Sequence, residues 1–259
     1  MLSRLRSFWR YRELLKNLVL MNLKLKYRDS VFGFLWSLAN PLLLIAVYSL
    51  AFKYILKVPT PNYAFFLLIG ILPWVFFANA LTMATGCIVD NANLIKKVFF
   101  PRLIIPVAAV LFNFIQYLLT FLVFLAAMFL LFRIAPTWPM LLFGVFLGLQ
   151  TIFTVGLGML LAIGTVFFRD IRHFVEVLLL LLFWLTPIIY EYPALPASLQ
   201  ALVGLSPLAP FVIAYQQVFY YAHIPPPALW LQACLYAVVA FAAGYAVFQR
   251  YAPRLAEEV

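Results

Sequence analysis

Long uncharged apolar runs decide the fold, and one of them reads MLLFGVFLGLQTIFTVGLGMLLAIGTVFF (residues 140–168). The hydrocarbon core of a bilayer is about 30 Å thick and needs about 20 apolar residues of α-helix. This run is therefore longer than one crossing requires, and so is a second run from Leu103 to Phe132. Both runs must tilt, kink or extend beyond the bilayer.

The composition of the whole chain makes lipid its main solvent. Hydrophobic residues make up 67% of the chain and charged residues only 10%, and the mean hydropathy is +1.05. Such a chain has too little polar surface to cover a soluble globule. Its 259 residues accommodate about six or seven membrane-spanning helices with short connections, and we expect no large soluble domain.

The positive charges lie in alternate connecting segments. The formal net charge is +10, and all but three of the 18 basic residues lie on one predicted side of the membrane. These residues are Arg4, Arg6, Arg10, Arg12, Lys16, Lys24, Lys26, Arg28, Lys96, Lys97, Arg102, Arg169, Arg172, Arg250 and Arg254. The positive-inside rule then places both termini in the cytoplasm. Topology and contact with membrane lipids explain this charge, so we expect no nucleic-acid partner.

We predict an all-α integral membrane protein with six transmembrane helices. The predicted spans are residues 34–56, 64–85, 103–132, 140–168, 173–190 and 229–248. Residues 1–31 precede them, and residues 32–259 form the six-helix transmembrane domain. Apolar and basic residues alternate with helical period between residues 4 and 28, which indicates an amphipathic helix in the cytoplasmic interface. An ordinary basic tail that only sets topology is the alternative.

Prolines interrupt the segment between the fifth and sixth spans, at about residues 191–227. The sequence Ser206-Pro207-Leu208-Ala209-Pro210 breaks its apolar stretch in the middle. Broken backbone is tolerated at membrane depth only where protein or water satisfies it. We therefore predict a re-entrant hairpin of two half-length helices that enters the outer leaflet and returns.

The sequence has no motif for ATP hydrolysis and no catalytic constellation. None of the ten glycines is followed by lysine, so the chain contains no phosphate-binding loop of the Walker type. His173 and His223 fall on opposite sides of the predicted membrane, which excludes a shared metal site. We expect no catalytic residue, no metal and no cofactor in this chain.

Small and polar residues within the spans are expected to join helices. Gly144 and Gly148 form a small-xxx-small pair, and Gly156 and Gly158 continue the small face. Gln150 and the other amides and hydroxyls of the spans either join helices or line a path through the protein. The 27 Phe, 14 Tyr and 6 Trp residues are numerous enough to line a path for sugars, yet lipid-facing or packing roles are equally ordinary for them.

Five motifs in order resemble a known family of membrane proteins. They are KYRDSVFGFLWS (26–37), GILPWVFF (70–77), NLIKK with FPR (93–97 and 100–102), FRD (168–170) and WLTPIIY (184–190). They resemble the permeases of ABC exporters for O-antigen, teichoic acid and capsular polysaccharide. The resemblance implies a homodimer of permeases on two ATP-binding cassette subunits, which would hold the ATP and Mg. It also implies a lipid-linked polysaccharide as cargo, carried on polyprenyl pyrophosphate across the bacterial inner membrane.

The resemblance also assigns regions of the chain to roles. The N-terminal segment becomes an interface helix and entrance loop, and the predicted substrate entrance comprises Arg28, Phe32 and Gly33. The cytoplasmic stretches predicted to contact the ATPase contain Lys96, Lys97, Arg102, Arg169, Asp170 and Arg172. The outer gate, in the hairpin region, would contain Trp184, Tyr190, Tyr192 and Tyr215. Simple helix capping is the alternative for Asp170, and a static interfacial belt is the alternative for the tyrosines.

Two other functions remain open from the sequence. One is a permease of the same family with another cargo, such as a drug or a lipid. The other is a membrane-embedded enzyme of lipid or glycan metabolism. Such enzymes usually display clusters of Asp, Glu, His and Arg, whereas this chain has eight acidic residues, of which only Glu191 is plainly external.

Overall fold

The computed structural model describes residues 11–27, 35–51, 55, 61–97 and 100–255, and these residues contain helices and no strand. The described residues form ten α-helices. They are α1 (Arg12–Tyr27), α2 (Leu35–Leu50), α3 (Tyr63–Asp90), α4 (Ala92–Lys97), α5 (Ile104–Leu130), α6 (Phe143–Phe167), α7 (Ile171–Leu185), α8 (Ala197–Val203), α9 (Ala209–Phe219) and α10 (Pro227–Tyr251). Short 3₁₀ turns lie at Trp138–Leu142, Tyr192–Ala194 and Ala252–Arg254.

Within the described part of the chain, four helical segments are long and apolar enough to cross a membrane. They are Tyr63–Asp90, Ile104–Leu130, Trp138–Phe167 and Pro227–Arg254. They correspond to the second, third, fourth and sixth predicted spans, so the all-α membrane fold is confirmed. Helix α7 has 15 residues and is shorter than this length requires.

The fifth predicted span is longer than the helix found there, because α7 ends at Leu185 and not at Tyr190. The backbone N–H and the hydroxyl of Thr186 both donate to the carbonyl of Leu182, at 2.9 and 2.6 Å, and finish the last turn. Pro187 follows, and proline has no N–H with which to continue the helix. Residues after Thr186 therefore leave the helix axis and turn back into the bundle.

Helix α3 lies at the centre of the bundle and packs against α5, α6, α7 and α9. Its aromatic side chains stack on those of its neighbours: the ring centroids of Phe65 and Phe124 are 5.5 Å apart, and those of Phe77 and Phe153 are 5.9 Å apart. Offset aromatic pairs of this kind add to the stability gained from burial. These phenylalanines are buried in the interior of the bundle.

Helices α6 and α10 approach each other through glycine. A Cβ atom built on Gly244 would lie 2.1 Å from the carbonyl oxygen of Gly156, so the two backbones are in direct contact. Gly158 lies against Ala84 of α3 in a similar way. The predicted packing role is confirmed for Gly156 and Gly158, whereas Gly144 and Gly148 have no heavy atom within 4 Å of such a Cβ.

The proline-rich segment forms two short helices, as its central break predicts. Helix α8 ends at Val203, and α9 begins at Ala209, after the Ser206-Pro207 sequence. Almost every residue of α9 is buried, including Phe211 and Tyr215, because α3, α6 and α10 surround it. An 11-residue helix is too short to cross a bilayer, so α9 is held by protein contacts.

Candidate functional site

The predicted substrate entrance lies outside the described residues, since Arg28, Phe32 and Gly33 belong to the interval 28–34. Helix α1, which leads to it, is described and packs along α5. Leu18 is buried in a cluster with Ala108, and the Lys26 ammonium donates a hydrogen bond to the Gln116 side-chain oxygen. Burial lowers the pKa of Lys26. Gln116 lies 12 residues beyond Ile104, so its contact with Lys26 is about 18 Å along the axis of α5 from the start of that helix.

Two of the predicted ATPase-coupling cations hold helices of this chain together. One guanidinium nitrogen of Arg172 lies 2.7 Å from the Asp90 carboxylate and also donates to the carbonyl of Gly86, which joins the start of α7 to the end of α3. Arg102 donates to the carbonyls of Ala252 and Pro253 and so fastens the turn after α10 to the start of α5. These two arginines hold together the ends of four helices, α3, α5, α7 and α10.

The other predicted coupling residues are exposed on the same end of the bundle. Lys96 and Lys97 end α4, whose Ile95 is buried and anchors this short helix. Arg169 and Asp170 are exposed in the turn between α6 and α7. Asp170 stands at the N-cap position, yet its carboxylate makes no capping hydrogen bond. A side-chain hydrogen bond that caps α7 is therefore absent at Asp170, which is exposed.

Two of the sequence motifs meet in the half of α3 that begins at Tyr63. The rings of Trp74 and Phe183 contact each other with centroids 5.5 Å apart. A Cβ on Gly70 would lie 3.2 Å from the Cα of Ile188, so glycine allows the chain after α7 to pack against α3. The motif GILPWVFF on α3 and the motif WLTPIIY after α7 thus form one contact. Nothing in either motif alone predicts this contact.

Buried hydrogen bonds tie the hairpin region to this contact. The hydroxyls of Thr186 and Ser206 lie 2.8 Å apart, and both residues are fully buried. The side-chain amide of Gln216 in α9 donates to the carbonyl of Pro187 at 2.7 Å. Buried polar groups that are satisfied in this way specify one arrangement of the chain. The segment after α7 and the two short helices are therefore one packed unit.

A second buried network lies beside Pro73 in α3. Pro73 lies within α3 and cannot donate a backbone hydrogen bond. Gln150 of α6 donates its side-chain amide to the Pro73 carbonyl at 3.1 Å and accepts a 2.6 Å hydrogen bond from the Tyr215 hydroxyl. Gln150 therefore joins α3, α6 and α9, as expected of a polar residue that connects helices.

The structure separates Tyr215 from the other three aromatic residues predicted for the outer gate. Trp184 is 60% exposed, and its carbonyl accepts a 3.0 Å hydrogen bond from the Tyr190 hydroxyl. Tyr190 and Tyr192 pack together around Ile213 and other buried residues of the hairpin region. Tyr215 is only 1% exposed and lies in the interior beside Gln150, so the expectation that it lies at an outer mouth is wrong. Its hydroxyl needs a partner, and Gln150 supplies one deep in the bundle.

Three tyrosines that the sequence did not single out lie around Glu191. The Tyr221 hydroxyl donates to the Glu191 carboxylate at 2.8 Å, and burial together with this bond raises the Tyr221 pKa. The hydroxyls of Tyr63 and Tyr220 donate to the carbonyls of Ile189 and Pro61. Their partners are mostly backbone atoms, which leave no trace in the sequence. The sequence predicts Glu191 to be the one plainly external acid, and this prediction is the feature that could have directed attention to its tyrosine neighbours.

No group of three His, Cys, Asp or Glu side chains converges as metal ligands among the described residues. The arrangement instead consists of a basic, exposed end and an opposite end closed by a packed hairpin, joined by long apolar helices. These features are those of a membrane transport subunit, and the chain belongs to the ABC-2 type transporter family, which matches residues 13–220.

Relatives of known name agree with this membership. The chain is 32% identical over the full length of both proteins to an O-antigen export system permease protein, RfbA, of Myxococcus xanthus. It is also 36% identical over 203 residues, 76% of each chain, to a protein of the same name from Klebsiella pneumoniae. The resemblance identified from the five motifs is therefore confirmed, and the relatives are transport subunits, as expected for this chain.

Proposed function

We propose that this chain is the transmembrane subunit of an ATP-driven exporter of O-antigen. The cargo would be a polysaccharide linked to polyprenyl pyrophosphate, and the exporter would act in the bacterial inner membrane. The observation that carries this proposal is the similarity to the Myxococcus xanthus permease over the entire length of both proteins. The Klebsiella pneumoniae relative of the same name supports the same cargo class.

The active assembly is a homodimer of this chain with two ATP-binding cassette subunits. The partner subunits supply the ATP site and its Mg, because this sequence contains no phosphate-binding loop. The exposed side chains of Lys96, Lys97, Arg169 and Asp170 lie on one end of the bundle, where a partner can reach them. Arg102 and Arg172 support this surface from within through the bonds described above.

The chain crosses the membrane six times, with both termini in the cytoplasm, and α8 and α9 form a re-entrant hairpin on the outer side. The distribution of basic residues supports this orientation. Single cysteines in place of Lys97 and Arg133, in a background with serine at Cys87 and Cys234, test it. A membrane-impermeant maleimide added to intact spheroplasts should label position 133 and leave position 97 unlabelled. Labelling of both positions from outside contradicts this topology.

Reconstitution with the ATP-binding subunits tests the function. The purified chain alone should hydrolyse no ATP, whereas the complex should hydrolyse ATP faster when lipid-linked O-antigen is added. Stimulation by a drug or a simple lipid, with no response to the glycan, would assign another cargo. Hydrolysis by the isolated chain would contradict the assignment as a transport subunit.

Arg28 is proposed to bind the pyrophosphate at the cytoplasmic entrance, beside Phe32 and Gly33. A guanidinium can bind a phosphate through two parallel hydrogen bonds, whereas a lysine ammonium of the same charge cannot. Arg28→Lys should therefore reduce export although the net charge is unchanged. Equal export by the variant and the wild-type protein would remove Arg28 from this site.

A further inference from the structure

Three tyrosine hydroxyls join three separate segments at the outer end of the bundle. Tyr63, at the start of α3, donates to the carbonyl of Ile189 in the segment after α7. Tyr220, at the end of α9, donates to the carbonyl of Pro61 at 2.7 Å. The neighbouring Tyr221 donates to the Glu191 carboxylate at 2.8 Å. The three bonds form a closed circuit between the segment before α3, the segment after α7 and the end of α9.

Ring packing holds the same residues in place. The rings of Tyr220 and Tyr221 meet edge to face with centroids 5.0 Å apart, and the ring of Tyr220 meets that of Phe66 at 5.2 Å. The ring of Tyr63 stacks on Phe66 at 5.9 Å. The aromatic rings fix the positions of the hydroxyls, and the hydroxyls connect the segments. Replacement of tyrosine by phenylalanine therefore removes the connection and keeps most of the packing.

We propose that Tyr63, Tyr220 and Tyr221 form a tyrosine clasp that holds the outer end closed at rest and opens as the glycan leaves. This proposal rests on the proposed export function. The acceptors of the clasp are two backbone carbonyls and a carboxylate, and sugar hydroxyls can donate to the same groups. A passing polysaccharide can therefore replace each tyrosine hydroxyl with one of its own, which offsets the cost of breaking the bond.

Tyr190 provides a matched control for the clasp. It is a half-buried tyrosine of the same region, and its hydroxyl donates to the Trp184 carbonyl at 3.0 Å. Both groups belong to one continuous stretch at the end of α7, so this bond connects no separate segments. Tyr190→Phe removes one tyrosine hydroxyl bond from the outer region and leaves the clasp intact.

Hydrogen–deuterium exchange on the complete complex in lipid nanodiscs measures the clasp directly. In the triple variant Tyr63→Phe, Tyr220→Phe, Tyr221→Phe, backbone amides of residues 186–192 and 220–224 should exchange faster. The expected increase is roughly 2- to 10-fold for each hydroxyl removed, from the usual net contribution of one hydrogen bond. Tyr190→Phe should leave the exchange of residues 220–224 at the wild-type rate. Unchanged exchange in the triple variant would overturn the clasp.

Proteoliposomes that contain the same complexes test whether the clasp closes the exporter. Without cargo, the triple variant should release an entrapped fluorescent dye at least about 3-fold faster than the wild-type complex and hydrolyse ATP faster, while Tyr190→Phe should behave like wild type. Faster exchange with wild-type dye retention and wild-type hydrolysis would overturn the gating role and leave a structural contact. A wild-type complex whose ATP hydrolysis does not respond to glycan would contradict the export function. The exchange measurement requires no transport, so it would still show whether the clasp hydrogen bonds hold the three segments together.

Discussion

Replacing Gly244 with alanine tests whether glycine sets the distance between α6 and α10. The new Cβ would lie 2.1 Å from the carbonyl oxygen of Gly156, whereas ordinary contact begins at about 3.4 Å. The two backbones must therefore separate by about 1.3 Å at this point. The atoms in the way belong to the backbone of Gly156 and not to the end of a flexible side chain, so the helices themselves must move.

The expected change in the free energy of unfolding of Gly244→Ala follows from two opposing effects. Alanine in place of glycine within a helix stabilises a protein by about 0.5–1 kcal/mol. Overpacking of a closely packed interior costs about 1–3 kcal/mol, and the shift also weakens contacts along the rest of α6 and α10. We expect Gly244→Ala to be less stable than Gly148→Ala by about 1–3 kcal/mol. Gly148 lies on the same helix as Gly156 and has open space where its Cβ would be, so it isolates the backbone effect.

Thermal unfolding of both variants in the same detergent measures this difference in stability. For a chain of this size, 1 kcal/mol corresponds to about 2–4 °C, so the two alanine variants should differ in Tm by about 2–12 °C. Gly148→Ala should unfold at or slightly above the wild-type temperature. Equal midpoints for Gly244→Ala and Gly148→Ala would refute the close approach of α6 and α10.

Three further changes test the polar contacts. Gln150→Leu should destabilise the protein by about 1–3 kcal/mol in the same unfolding assay, because it leaves the Tyr215 hydroxyl buried without its acceptor; Tyr215→Phe should cost less. A double-mutant cycle of Asp90→Ala and Arg172→Ala should give a coupling of about 0.2–1 kcal/mol that decreases in 1 M salt, because the pair is partly exposed; no salt dependence would contradict an ion pair. Asp170→Ala should leave Tm unchanged, because its carboxylate caps nothing, and should reduce glycan-stimulated ATP hydrolysis by the complex. Unchanged stimulation would remove Asp170 from coupling.

The long helices could be predicted because their signal lies in composition. Apolar runs without charge locate α3, α5, α6 and α10 with ends correct to within five residues, and prolines locate the break between α8 and α9. The end of α7 was misplaced by five residues, because Ile188 and Ile189 continue the apolar run although the helix has already ended at Leu185. Hydropathy reports burial, and residues in a packed coil are as buried as those in a helix.

Contacts between distant residues could not be predicted from these patterns. Helix α9 is apolar on nearly every side, so its sequence gives no face that would show Tyr215 pointing inward. The clasp acceptors at Pro61 and Ile189 are backbone carbonyls, which every residue type carries. Arg102 and Arg172 matched the pattern of exposed coupling cations, but a charge pattern cannot distinguish a cation that binds a partner from one that holds two helices together.

The enclosure of α9 also constrains how the chain is made. Two polar side chains of α9 form hydrogen bonds with residues that are synthesised before it. Tyr215 donates to the Gln150 side chain, and Gln216 donates to the carbonyl of Pro187. Helix α10, which covers α9 from the other side, is synthesised after α9. A nascent chain halted before residue 227 thus has these two hydrogen-bonding partners of α9 but lacks one wall of its site. Insertion of α10 is then the step that encloses the hairpin in the protein.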